Sequence, residues 1–362
     1  MTGGRIAFFL PSVRGGGAQR VIVNLVQGIV QRGEPVDVAL AMADGVFLDH
    51  LPPQVRVVDL GARRLIGGLL PLIGYLRRER PRVLVSSMSH ANMVALWAAK
   101  LAGRSTPVMV TVHNTMSEST GSDGGLEHRL LRTFYPWARW IVAVSRGAAD
   151  DLARTTGLRR SGIEVIYNPV ITPAILAQAG GAPDHPWYAP GEPPVILGVG
   201  RLTRQKDFLT LVRAFADLRR RRPARLIILG EGEDRPALEA LVAELGMQDD
   251  VALPGFRDNA PAYMARSALF VLSSAWEGLP TVLIEALAVG TPVVSTDCPS
   301  GPREILQEGR LGDLVPIGDA PALAQAMTRA LDCPERRVPP EALAAFTLDA
   351  AVDHYLRLIA SA

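Results

Sequence analysis

The stretch PPVILGVGRLTRQKDFLTLVRAFADLRRRRPARLIILGEGE, residues 193–233, decides the fold. Val195 to Val199 is an apolar run rich in branched side chains, the pattern of a buried strand. The glycines at 198 and 200 break it. Phe208 to Arg221 then carries apolar residues at helical spacing, and Leu226 to Leu229 is a second buried run. Strand, glycine turn, helix and strand in about forty residues form a βαβ unit, which requires a parallel sheet covered on both faces.

The same alternation continues downstream. Arg235 to Leu245 is a helix, Val251 to Leu253 a strand and Ala260 to Ala265 a short helix. Leu269 to Leu272 is a strand, Leu283 to Val289 a helix and Val293 to Ser295 a strand, with helices at Ala320 to Leu331 and Leu348 to Ile359. Upstream it appears again: a strand at Arg5 to Leu10, a helix at Ala18 to Arg32, and buried strands at Val36 to Ala41, Val83 to Ser86, Val108 to His113, Ile141 to Ser145 and Ile163 to Tyr167. Proline and glycine crowd the stretch between, at Pro169, Pro173, Gly180-Gly181, Pro183, Pro186, Pro190 and Pro193-Pro194. That density marks a domain boundary. The expected organisation is an α/β domain over 1–170, a linker over 171–194, a second α/β domain over 195–345 and a terminal helix over 346–362 that packs back on the first domain. A cleft between the halves, faced by the carboxyl ends of both sheets, is where open α/β folds bind ligands.

The 362 residues are 48% hydrophobic with a formal charge of +2, which excludes a disordered chain. Two cysteines, Cys298 and Cys333, exclude a disulfide framework and a cysteine-rich zinc module. Residues 1–185 carry 20 basic against 13 acidic side chains, and 186–362 carry 18 against 23. Only Lys100 and Lys206 are lysines, so each raises the question of what it does that arginine would not. The N-terminus has no signal-peptide pattern, and the most apolar run, Leu65 to Leu76, is too short and too glycine-rich to span a bilayer. A cytoplasmic protein is expected. Residues 60–82 interleave apolar side chains with Arg63, Arg64, Arg77, Arg78, Arg80 and Arg82, a pattern suited either to an anionic membrane surface or to a helix with a solvated basic end. Nothing points to nucleic acid.

Four motifs carry chemistry. Gly15-Gly16-Gly17-Ala18-Gln19-Arg20 follows the first strand and opens the first helix, where exposed N–H groups attract phosphate. It lacks the dinucleotide spacing G-x-G-x-x-G and a ribose-binding acid, which argues against a nicotinamide-dependent oxidoreductase. Second, Gly198-Val199-Gly200-Arg201-Leu202-Thr203-Arg204-Gln205-Lys206-Asp207 places two cations just past a strand end, where they can clamp a diphosphate. A solvated loop is the alternative, and it fits a chain that otherwise uses arginine for surface charge poorly. Third, Glu277-Gly278-Leu279-Pro280-Thr281-Val282-Leu283-Ile284-Glu285 sets one carboxylate before a helix and another inside its apolar part. The helix start can face an anion, and Glu285 suits either ribose hydroxyls or a partly buried salt bridge. Fourth, His113 ends an apolar strand, where a neutral imidazole can orient or accept a proton. His50, His90, His128, His185 and His354 have no comparable setting. No His/Cys/Asp/Glu set has metal-ligand spacing and there is no Asp-x-Asp, so no metal and no cofactor is expected.

Together these motifs resemble retaining glycosyltransferase family 4, with the GT-B architecture of two Rossmann-like parallel-sheet domains. The carriers are Gly16-Gly17-Ala18-Gln19-Arg20, Val144-Ser145-Arg146, Ile166-Tyr167-Asn168-Pro169, Gly200-Arg201-Leu202 with Gln205-Lys206, Leu229-Gly230-Glu231-Gly232, Leu253-Pro254-Gly255-Phe256 and the Glu277-x7-Glu285 segment. The resemblance implies that Arg201 and Lys206 hold the diphosphate of a nucleotide-sugar donor. It implies that Glu277 meets hydroxyls of the transferred sugar, Glu285 binds the ribose, and backbone at Gly16, Gly17, Gly278, Leu279, Pro280 and Thr281 receives phosphate and sugar oxygens. Gly255, Phe256 and Arg257 would lie near the base, and His113 beside the reacting centre. Gln19 stands where the family commonly has glutamate, and Asp207 where glycine is commoner, so a different loop backbone is expected there.

The segment Asp297-Cys298-Pro299-Ser300-Gly301-Pro302-Arg303-Glu304-Ile305 resembles the subset acting on N-acetylhexosamines in bacterial surface-glycan assembly. The resemblance thus implies a metal-independent transfer from a donor that is UDP-linked to a glycan or polyprenyl-diphosphate-linked acceptor, with residues 60–82 docking the enzyme on the inner face of the membrane. A GDP-mannose-type hexosyltransferase and a non-catalytic sugar-nucleotide sensor are the alternatives.

Overall fold

The computed structural model describes residues 4–14, 17–103, 106–115, 117, 124–333 and 338–361. It divides into two compact units: Met1–Val170 with Ala345–Ala362, and Ile171–Ala344.

The first unit is built on seven strands: β1 Ile6–Leu10, β2 Val36–Leu40, β3 Arg56–Asp59, β4 Val83–Ser87, β5 Val108–Val112, β6 Trp140–Ala143 and β7 Ile163–Val165. Their order is β3-β2-β1-β4-β5-β6-β7, every pair parallel. β1, β2, β4 and β5 are buried along their whole length, because helices cover both faces and leave no room for polar alternation. The exposed edge strand β3 has no such apolar run, and the sequence gives no sign of it. On one face Leu72, Leu76, Ala95, Ala98 and Leu152 pack on Ala7, Leu84 and Val110. On the other, Ile22, Leu25 and Ile29 of the helix Gly17–Gln31 join Val352, Tyr355 and Ile359 of the last helix, Leu348–Ala360. These two helices cross closely at Gly28, where a Cβ would lie 2.6 Å from the Val352 side chain. Arg32 seals the crossing by pairing with Asp349 at 2.7 Å and with Asp353.

The second unit carries six strands: β8 Val195–Val199, β9 Arg225–Leu229, β10 Val251–Gly255, β11 Leu269–Leu272, β12 Val293–Thr296 and β13 Asp313–Val315. Their order is β10-β9-β8-β11-β12-β13, again parallel throughout. Chain direction across the sheet reverses at β8 and β11, so the loops leaving their carboxyl ends diverge and open a crevice. The stretch 171–194, expected to be a linker, belongs to this unit. Thr172 caps a short helix, Pro173–Ala179, and Tyr188 and Asp184 hydrogen-bond to Ser267 and Tyr263 at 2.9 Å. Its prolines shape a packed segment, which composition alone does not distinguish from a free one.

Candidate functional site

The loops following β8 and β11 meet in the second unit, and the backbone shows why glycines are needed. Gly200 N donates to Leu229 O at 3.0 Å and Leu202 N to Glu231 O at 2.9 Å, which presses the β8 loop onto the β9 loop. At Gly230, with φ of 142°, a Cβ would stand 1.9 Å from Gly200 O; at Gly232 it would stand 2.2 Å from Leu202 O. No side chain fits at either position. The β8 loop then crosses to the β11 loop. Ser273 Oγ donates to Lys206 O at 2.7 Å, Ala275 N to Gln205 O at 2.8 Å, and Gln205 Nε2 to Trp276 O at 3.0 Å.

This bracing brings Lys206 and Glu277 together. Lys206 Nζ lies 2.6 Å from Glu277 Oε1, and the buried Ser274 donates its hydroxyl to the same oxygen at 2.7 Å. The two charged side chains are only 15% and 8% exposed, so their attraction is weakly screened. Cys298 is buried beside them; burial first, then the Glu277 charge, push its thiol up to about 12. It is therefore neutral and inert at ordinary pH. Arg201 sits in the same β8 loop with its side chain exposed and no ion pair among the described residues.

Asp207 adopts φ of 46°, the left-handed conformation that glycine takes without strain. Asp207 tolerates the conformation because its carboxylate caps the helix Phe208–Arg219, accepting from Thr210 N at 3.3 Å and Thr210 Oγ1 at 2.7 Å.

Gly278, Leu279 and Pro280 are buried and lead into the helix Thr281–Ala288, which holds the buried Glu285 in its second turn. The segment 297–303 braces this loop from β12. Glu277 N donates to Pro299 O at 3.3 Å and Ser300 Oγ to Gly278 O at 2.8 Å. Gly301, at φ of 95°, passes so near Pro280 that a Cβ would lie 2.4 Å from its ring. At the end of β10, Gly255 is also left-handed, with φ of 87°, and the following Phe256 ring is 72% exposed. Arg257 folds back to Phe256 O at 3.1 Å.

In the first unit, His113 follows β5. Its Nε2 lies 2.8 Å from Ser87 Oγ and 3.0 Å from Thr111 Oγ1. Its Nδ1 is buried without a hydrogen-bond partner among the described residues. Burial pushes its pKa down from 6.5 to about 4, so it is neutral at pH 7. Gly17 opens the helix Gly17–Gln31, and a Cβ there would touch nothing within 4 Å; Gly16 lies outside the described residues. The sequence-derived residues thus form a contiguous loop assembly in the second unit, while His113 and Gly17 lie in the first. Sequence reasoning missed Ser274 and Ser87, and it quoted Gln205 only within a motif, without a role of its own. Ser87 ends β4 and Ser274 follows β11, where a serine is too ordinary to mark a site.

A family model described as Glycosyltransferase Family 4 matches residues 15–172, and one described as Glycosyl transferases group 1 matches 185–342. The chain is 31% identical over 340 residues, 91% of its own length and 90% of the relative's, to a Campylobacter jejuni protein. That relative is named N-acetylgalactosamine-N,N'-diacetylbacillosaminyl-diphospho-undecaprenol 4-alpha-N-acetylgalactosaminyltransferase. The chain belongs to glycosyltransferase family 4. It is also 29% identical to the lipopolysaccharide core biosynthesis glycosyltransferase LpsE of Rhizobium meliloti, covering 96% of both chains. Among solved structures, Anabaena HepE in complex with UDP-glucose superposes with a TM-score of 0.80 at 20% identity, covering 99% of this chain and all of that one. The lipopolysaccharide outer core galactosyltransferase WaaB superposes at 0.74 with 22% identity, over 99% of each chain. The fold is therefore GT-B, and the protein is a glycosyltransferase. Among the described residues no helix is long and apolar enough to cross a membrane.

Proposed function

We propose that this glycosyltransferase moves a sugar, an N-acetylhexosamine being the leading candidate, from a UDP-linked donor to a glycan or polyprenyl-diphosphate-linked acceptor in bacterial surface-glycan assembly, with retention at the anomeric carbon. The observation that carries it is the buried Lys206–Glu277 pair at the switch point of the second sheet. An ammonium held by one carboxylate oxygen is a poised anion receptor, and a diphosphate is the anion the donor supplies. Arg201, exposed in the same loop, adds a planar fork for the other phosphate oxygens. Glu277 Oε2, without a hydrogen bond among the described residues, is placed to accept from a sugar hydroxyl. Glu285 would accept from the ribose, and the backbone N–H groups of Gly278, Leu279 and Thr281 would donate to phosphate and sugar oxygens. The exposed Phe256 ring, between Gly255 and Arg257, offers a face on which a base can stack.

In the reaction the bond from the anomeric carbon to the phosphate oxygen breaks and the glycosidic bond forms on the same face. The acceptor hydroxyl's proton passes to the departing phosphate oxygen. Arg201 and Lys206 stabilise the charge that grows there, with no further cofactor. The Campylobacter relative's printed name, with its diphospho-undecaprenol acceptor, supports a lipid-linked substrate. Exposed Ile66 and Leu70, at 68% and 76%, stand close in sequence to the exposed Arg63 and Arg64 and form the apolar-and-basic strip for an anionic membrane. Arg77, Arg78 and Arg82 of the same stretch are tied to Leu101 O, Glu79 and Glu34, with Arg77 and Arg78 still exposed. A thermal-shift screen of nucleotide sugars, followed by UDP release with lipid-linked acceptors, tests the reading. Stabilisation by UDP-sugars above GDP-sugars is expected. Equal or stronger stabilisation by GDP-mannose overturns the UDP assignment, and binding without turnover on any acceptor favours a sensor.

A further inference from the structure

The two carboxylate oxygens of Glu277 have unequal surroundings. Oε1 accepts twice, from Lys206 Nζ at 2.6 Å and from Ser274 Oγ at 2.7 Å. Oε2 has no donor among the described residues and is open to solvent. An ammonium carries three hydrogens and attracts both oxygens of a neighbouring carboxylate. Lys206 alone would therefore draw Glu277 round until both oxygens lay on it. The Ser274 hydroxyl opposes that turn, because its single hydrogen holds Oε1 only.

The hydroxyl can do this because its own backbone is pinned. The chain leaves β11 at Leu272, and Ser273 and Ser274 follow. Thr296, which ends β12, donates its hydroxyl to Ser274 O at 2.6 Å. Ser274 and Thr296 are both fully buried, so neither side chain is free to swing into solvent. Ser273 Oγ donates to Lys206 O at 2.7 Å. Two consecutive serines thus fix the two halves of the pair, one through the lysine backbone and the other through the carboxylate.

We propose that Ser274 is a positioning residue that keeps Glu277 from closing both oxygens over Lys206, so that Oε2 stays free to accept from a hydroxyl of the donor's sugar. This rests on the nucleotide-sugar reading above, and the test separates the two. The ammonium keeps a hydrogen for a phosphate oxygen in either arrangement, so UDP is the control ligand.

Crystal structures of the ligand-free wild type and of Ser274→Ala, both as the full chain, read the carboxylate directly. Oε1 alone should contact Lys206 in the wild type, and both oxygens should contact it in Ser274→Ala. Calorimetry with UDP, UDP-glucose and UDP-N-acetylglucosamine reads the consequence. Ser274→Ala should weaken both UDP-sugars about fivefold, the size of one net hydrogen bond, and leave UDP unchanged. In a Glu277→Ala background the same substitution should have no further effect, since Ser274 acts through Glu277. The proposal is overturned by a Glu277 that stays in place in Ser274→Ala, by UDP-sugar affinity equal to that of the wild type, by equal weakening of UDP and the UDP-sugars, or by a loss that persists without Glu277. If the wild type binds none of these nucleotides, the donor reading falls, and the two crystal structures still decide whether Ser274 sets the carboxylate.

Discussion

His113 and Lys206 both lie just beyond a parallel strand, yet their surroundings are opposite in kind. At the end of β5 the neighbours are hydroxyls, Ser87 and Thr111, and burial keeps the imidazole uncharged. At the ends of β8 and β11 the neighbours are charged, and a buried ammonium rests on a buried carboxylate. The difference teaches a division of labour. An uncharged imidazole among hydroxyls attracts no anion, whereas a buried ammonium already set on a carboxylate is suited to meet one.

The harshest way to break this comparison is to remove the cation. Lys206→Ala should lower turnover by about 10²–10³-fold, the loss typical of one preorganised electrostatic donor, and weaken UDP binding. It should leave the chain folded, since Ser274 continues to hydrogen-bond Glu277. Wild-type turnover in this variant would remove Lys206 from the site. Gly230→Ala attacks the same loop through its backbone. A Cβ 1.9 Å from Gly200 O forces the β8 and β9 loops apart, and a loss of about 3 kcal/mol in denaturant unfolding is expected, with turnover falling as Arg201 and Lys206 shift.

The neutral end makes a pH prediction of definite sign. His113 titrates near 6.5 when unfolded and at about 4 when folded, so the unfolded chain binds the extra proton between these values. The stability it contributes is complete above pH 6.5 and is lost as pH falls toward 4. Allowing for partial exposure, about 2 kcal/mol should disappear between pH 7 and pH 4.5, and His113→Asn should flatten that part of the melting-temperature profile. An unchanged profile in the variant would show that the imidazole is not desolvated.

How much of this was legible beforehand follows from what each signal depends on. β8 and the glycine turn after it are visible because a doubly covered strand is continuously apolar and the turn is forced by close backbone approach. Glu285 stands out as a carboxylate in an apolar helix, and it is buried. The edge strand β3 is not visible, since Arg56–Asp59 faces solvent and needs no apolar run. Ser274 and Ser87 are not visible either: a serine ending a strand is ordinary, and only its distance to Glu277 or His113 gives it meaning. Segment 297–305 marks a sugar preference only through its resemblance to one subset of the family, while in the fold its Pro299 and Ser300 hold the Glu277 loop in place.

The smallest prediction concerns the other lysine. Lys100 sits in the last turn of the helix Ser89–Leu101 and is exposed there, at a solvated helix end. Its ammonium also lies 5.6 Å from the centre of the Trp137 ring, which packs edge-on with Trp97 and Phe134. At this exposed position such a contact is worth about 0.5 kcal/mol. Lys100→Met keeps the stem and removes the charge, so it should cost that amount, within about 1 kcal/mol, and leave turnover untouched. A turnover loss comparable to that of Lys206→Ala would collapse the distinction between the two lysines, because Lys100 lies at the end of its helix remote from the carboxyl end of β4, where the helix begins. An unchanged rate would keep the two lysines distinct, one set on a buried carboxylate and the other on an exposed ring.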